Sequence, residues 1–193
     1  MNIRARFIPF AVAALAAFCA TTSCGKPGVE AARETTDLSS QKVLSIDDED
    51  FLTKAEKSEI RQTTFSQLAV DKSNDEDVRQ FARRVISNYQ RPLAELTDLM
   101  KAKNMAESSA AIAALREDAI NRLHRLSGSD FDDEFVSLMT AEQQEAVPIF
   151  NAAAETAADP DIRNYAKSVL PLLRQDFDTA IALEKKLASK ERR

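Results

Sequence analysis

The chain has 193 residues, a formal net charge of −5, 44% hydrophobic residues, three glycines and no tryptophan. That length accommodates one domain with a sizeable core and leaves little room for a second. The acidic balance disfavours nucleic acid as a partner, and so little glycine excludes a phosphate-cradling loop.

The start of the chain has the three parts of an export signal. Arg4 and Arg6 supply a positive n-region, and residues 7–20 form an apolar stretch too short to be a comfortable membrane span. Ala20-Thr21-Thr22-Ser23-Cys24-Gly25 then reads as a lipobox, departing from the usual pattern only at Thr21, where leucine is common. Residues 1–23 are therefore expected to be removed as a lipoprotein-type signal peptide, leaving Cys24 to carry the lipid; ordinary cleavage with a free Cys24 is the alternative. A lone thiol in an oxidising compartment is a liability, which favours lipidation. Cys19 is a poor candidate because the bulky Phe18 precedes it. Gly25, rather than Asp, follows Cys24, as in lipoproteins sent on to the outer membrane, so the expected location is the periplasmic side of the cell envelope. Removal of residues 1–23 leaves 24 basic against 31 acidic residues, net −7, and no cysteine beyond Cys24. The fold must then be held by its core alone. Residues 24–46 lack a sustained apolar period and read as a flexible tether.

A helical domain is expected over residues 47–189. Phe51, Leu52, Ala55, Phe65, Leu68 and Ala69 recur at helical spacing and predict a first helix over 48–71. A second begins at Asn74 or Asp75, with Val78, Phe81, Ala82, Val85, Leu93, Leu96 and Met100 on one face. A short connecting helix carries Ile112, Leu115, Ala119, Leu123 and Leu126 and stops at Ser127-Gly128. The third long helix opens at Ser129, and Asp159-Pro160 announces the fourth, as an N-cap followed by proline in the first helical position. Pro92, Pro148 and Pro171 fall inside these helices and should bend them. Residues 190–193 read as a C-terminal tail, and the basic end Lys185, Lys186, Lys190, Arg192 and Arg193 suits a helix C-terminus and a solvated tail; contact with anionic lipid is the alternative.

An internal repeat has a constant offset of 84 residues. Residues 75–86 match 159–170 at five identical positions of twelve, among them Asp75/Asp159, Ala82/Ala166 and Val85/Val169. The same register upstream aligns Phe51 with Phe135, Leu52 with Val136 and Ala69 with Ala153. A duplicated αα-hairpin explains an unbroken register through two helices. Two hairpins joined by a long crossover close most simply as an all-α, ferritin-like four-helix bundle with a short extra connecting helix.

Several segments carry a family likeness: Asp50-Phe51-Leu52, Val78-Arg79-Gln80-Phe81-Ala82, residues 126–132, Glu145-Ala146-Val147-Pro148-Ile149-Phe150 and Leu170-Pro171-Leu172-Leu173-Arg174. Over residues 48–187 the chain resembles the exported ferritin-like domain of unknown function 4142, often labelled an outer-membrane protein. Members commonly carry Asp-His in helix two, Asp-His in helix three and a histidine after the Leu-Pro of helix four. The corresponding positions here are Asn88-Tyr89, Glu142-Gln143 and Asp176, so every histidine has been replaced. The resemblance implies the fold and not the metal chemistry.

Polar residues nonetheless interrupt the apolar stripes near mid-bundle: Gln62, Tyr89, Glu142, Gln143 and Asp176. If they face inward they must satisfy one another, because an unpaired buried polar group costs about 1–3 kcal/mol. One reading is a hydrogen-bonded layer that fixes helix register, or exposure at the stripe edge; another is a carboxylate pair, Glu142 and Asp176, with Gln62, Gln143 and Tyr89 around a small ligand or hard cation. A buried layer makes Tyr89→Phe and Asp176→Asn destabilising. A di-metal bundle needs Glu-x-x-His pairs, and this chain has one histidine, His124, on the connecting segment. No catalytic residue, metal site or cofactor is expected, and no G-x-S-x-G elbow occurs. The sequence thus reads as a non-enzymatic helical module, tethered to the membrane through its lipid, that acts by contact with an unknown envelope protein or as a periplasmic structural or stress component. The alternatives are a ferritin-like metal-binding oxidase or store and a small-ligand carrier using the bundle interior.

Overall fold

The computed structural model describes residues 46–105 and 118–191. The signal peptide, Cys24, the tether as far as residue 45, Ile112, Leu115, Arg192 and Arg193 lie outside the described residues. Five helices are described: α1 (Ile46–Lys72), α2 (Glu76–Ala102), α3 (Asp118–Arg125), α4 (Gly128–Thr156) and α5 (Pro160–Glu191). None of them is long and apolar enough to cross a membrane.

The apolar stripes become the core. On α2, Val78, Phe81, Ala82, Val85, Leu96 and Met100 are buried, and Phe51, Phe65, Phe131, Phe135, Phe150 and Val169 join them from the other long helices. Burying each such aromatic or aliphatic side chain contributes about 1.5–3 kcal/mol, and this is the main force closing the bundle. α1 packs on α2 and α4 on α5, and the two hairpins meet through α1 against α4 and α2 against α5.

Contacts at the helix ends fix the directions. The Asp48 carboxylate, at the start of α1, accepts from the backbone N–H groups of Ala158 and Asp159, both at 3.0 Å, just before α5. Lys103, which follows α2, donates to Asp159 at 2.9 Å and to Asp161 at 3.2 Å. At the other end, Lys190 in the last turn of α5 pairs with Asp75, and Lys186 lies 2.5 Å from Asp77. Asp132, near the start of α4, is buried beside Ser73, which follows α1. Lys72 holds the end of α3 by donating to the Leu123 and His124 carbonyls at 2.7 and 2.8 Å. The connection from α2 to α4 therefore starts at one end of the bundle and finishes at the other, which is ferritin-like topology.

The 84-residue register extends to these contacts. α2 and α5 start 84 residues apart, at Glu76 and Pro160, each behind an aspartate N-cap. Asp48 and Asp132 occupy equivalent places, each against the turn of the opposite hairpin. The aromatic pairs repeat as well: Phe51–Tyr165 has ring centroids 6.4 Å apart, and its counterpart Phe135–Phe81 has them 6.0 Å apart. The halves are related as by an approximate two-fold axis.

Local boundaries differ in instructive ways from the sequence reading. Ile46, assigned to the tether, already opens α1, and Lys190, assigned to the tail, is bound within α5 to the start of α2. α4 opens at Gly128 rather than Ser129; Gly128 has φ +59, in the left-handed region that favours glycine. α2 closes with Asn104 at φ 58, Asn104 N–H donating to Lys101 and Met105 N–H to Met100. That is a Schellman closure built on asparagine instead of glycine. α2, α4 and α5 each run through an internal proline, Pro92, Pro148 and Pro171. Asp48→Ala should cost about 1–3 kcal/mol, because the N–H groups of Ala158 and Asp159, the second of them buried, lose their acceptor. Urea unfolding measures it, and an unchanged midpoint would contradict the interlock.

Candidate functional site

The mid-bundle positions are all inside: Gln62, Tyr89, Gln143 and Asp176 are completely buried, and Glu142 nearly so. Helical spacing puts them there. Tyr89 continues the Val78–Val85 stripe of α2, and Asp176 falls between Leu173 and Ala180 on the buried face of α5.

The structure brings Gln62 and Gln143 together directly. Gln143 Nε2 donates to Gln62 Oε1 at 2.7 Å, and Gln62 Nε2 donates to Ser58 Oγ at 2.9 Å, a chain that ties α4 to α1 through the core. Glu142 and Asp176 each face an arginine. Arg61 on α1 lies 2.6 Å from Glu142, and Arg84 on α2 lies 3.6 Å from Asp176. One ion pair thus belongs to the α1–α4 contact and the other to the α2–α5 contact. Arg84 and Asn88 face Asp176 without completing a hydrogen bond, and the Tyr89 hydroxyl faces Gln143 in the same way.

Two members of this layer escaped the sequence reading. Glu59 is completely buried and accepts a hydrogen bond from the Tyr165 hydroxyl. Burial pushes the Glu59 carboxyl up to about 8, with the Tyr165 hydrogen bond opposing and the Glu95 charge adding to the rise. Tyr165 is raised as well, first by burial and then by the Glu59 charge. Burial, then the charges of Asp176 and Glu59, raise Tyr89. Asp176 is raised by burial against the opposing charge of Arg84. The repeat held the missing signal: an offset of 84 places Glu59 opposite Gln143 and Tyr165 opposite Phe81.

These donors do not fit a metal centre. Gln143 turns an amide N–H inward, Tyr165 spends its hydroxyl proton on Glu59, and the Arg84 guanidinium puts a fixed positive charge beside Asp176. Among the described residues, no three histidine, cysteine, aspartate or glutamate side chains converge to hold an ion. His124 is exposed on α3.

Glu59 makes stability depend on pH. Its folded-state proton is held to about pH 8, whereas a free glutamate releases it near 4.3. The folded state binds the extra proton between these values, so the contribution of Glu59 to stability is complete below about pH 4 and is lost as pH rises towards 8. Glu59→Gln should flatten that fall, which for the parent approaches about 1.4 kcal/mol per pH unit; urea titrations at several pH values read the slope directly. The loss expected for Tyr89→Phe does not follow from this geometry, because the hydroxyl completes no bond. That variant should stay within about 1 kcal/mol of the parent. Asp176→Asn, which removes the carboxylate facing Arg84, should cost about 1–2 kcal/mol, moderated by the solvent access of Arg84. Equal losses in the two variants would contradict this assignment.

Comparison with known proteins gives a fold and, separately, a family. The chain shares its fold with the crystal structure of a DUF305 protein from Streptomyces coelicolor, at a TM-score of 0.61 and 13% identity, over 75% of this chain and 96% of that one. Among curated proteins, none matches. The model of a domain of unknown function, DUF4142, matches residues 33–183. The chain belongs to the DUF4142 family.

Proposed function

We propose that the protein is a non-enzymatic helical module, held on the periplasmic side of the cell envelope by a lipid on Cys24 and acting through contact with another envelope protein. The observation that carries this reading is the engagement of the interior polar groups with one another. Gln62 binds Gln143, Glu59 binds Tyr165, Glu142 pairs with Arg61 and Asp176 faces Arg84, so each joins one helix of the bundle to another. Such groups specify how the helices register and leave the outer surface to meet partners.

The location rests on the sequence before the bundle: Arg4 and Arg6, the apolar run 7–20, and the small residues leading to Cys24. The Streptomyces coelicolor neighbour is described as secreted, in keeping with export. A net charge of −7 for the processed chain speaks against nucleic acid as the partner.

Cys24→Ser tests the anchor. The parent should fractionate with the outer membrane and carry diacylglycerol on Cys24 by mass spectrometry, and the variant should be released into the soluble fraction. The non-enzymatic reading is tested separately by loading the purified protein with iron, manganese or zinc. Sub-stoichiometric retention is the expected result, whereas one or more tightly held ions per chain would overturn the reading in favour of a ferritin-like oxidase or store.

A further inference from the structure

A cleft of about 190 Å³ opens on the bundle surface between α1 and α4. Its walls carry opposite charges. Lys54, Lys57 and Arg61 are spaced three and four residues apart and line the α1 side, and Glu142 and Glu145 line the α4 side. Ile149 and Phe150 give it an apolar floor. Ser58, also in the lining, accepts the hydrogen bond of the buried Gln62, so the cleft reaches inward to the polar layer.

The charge arrangement discriminates between ligand classes. A simple anion is drawn to α1 but repelled by Glu142 and Glu145, and a simple cation meets the reverse. Lys54 is held by Asp50 at 2.6 Å, so a zwitterion can set its carboxylate against Lys57 and Arg61 and its ammonium against the glutamates, which satisfies both walls at once. Arg61 and Glu142 already lie 2.6 Å apart across the cleft. A bound zwitterion would extend that pair into an alternating ring of charges, because a guanidinium has five donors and a carboxylate about four acceptor sites. The volume is below the roughly 300–1,000 Å³ of sites for drug-sized ligands, which limits the occupant to a molecule of amino-acid size. The floor favours an aliphatic side chain over a polar one.

We propose that the α1–α4 cleft binds a small zwitterion of the amino-acid class with an aliphatic side chain. This site stands on the geometry of the cleft and is independent of the envelope reading, since neither the anchor nor the metal measurement bears on it.

The test is a titration of the isotope-labelled protein, followed by NMR, with leucine, isoamylamine and 4-methylpentanoate. All three keep the branched side chain of leucine; isoamylamine lacks the carboxylate and 4-methylpentanoate lacks the ammonium, so the last two carry a single charge each. Leucine should produce saturable shifts at Ser58, Arg61, Ala146 and Ile149, with each single-charge analogue at least about tenfold weaker. Lys57→Gln and Glu145→Gln should each weaken leucine by about fivefold or more while the circular dichroism spectrum and melting midpoint stay those of the parent. Absence of saturable shifts in the millimolar range would overturn the proposal. So would equal binding of the three compounds, or shifts indifferent to both substitutions in folded variants.

Discussion

Two carboxylates kept from water, Asp48 and Asp132, set each hairpin against the turn of the other. Asp48 makes the arrangement explicit, since it holds the two N–H groups that precede α5. A buried carboxylate is tolerated only where donors surround it, so the start of α1 and the turn between α4 and α5 have to stay together. The cross-bundle pairs of Lys103 with Asp159 and of Lys190 with Asp75 repeat the logic between α2 and α5. These contacts fix the relative direction of all four long helices, and the apolar stripes then have one way to close.

The two halves have diverged at the centre while keeping their ends. Phe51–Tyr165 and Phe135–Phe81 remain equivalent aromatic contacts. In one half the tyrosine hydroxyl reaches the Glu59 carboxyl. In the other the matching residues are Phe81 and Gln143, and Gln143 turns instead to Gln62, whose own counterpart is Ala146. The polar layer is therefore asymmetric within a symmetric shell, and its hydrogen bonds cross from hairpin to hairpin. Such a layer distinguishes the native register from a slipped one, in which these groups would be buried without partners.

Much of this was legible in the residues. The stripe 78–100 and the Asp159-Pro160 start located α2 and α5 because periodicity and capping are local physics. The repeat supplied the pairing of the hairpins. Gln62, Tyr89, Gln143 and Asp176 stood out as polar residues breaking an apolar period. Glu59 did not, because it lies in the run 54–61, rich in charged residues that a helix usually turns to solvent. The Asn104 closure was hidden because glycine is the ordinary signal for it. Lys190 read as part of a tail because its partner, Asp75, is 115 residues away and no local pattern connects them.

Glu59 also makes folding a proton-coupled reaction. Near neutrality the open chain carries this carboxyl ionised, whereas the closed bundle shelters it in its neutral form. Each molecule that folds therefore draws hydrogen ion from its surroundings, and the calorimetric heat of that step includes the ionisation heat of whichever buffer supplies it. The hydrogen ion of the medium thus becomes one of the reactants in building the core.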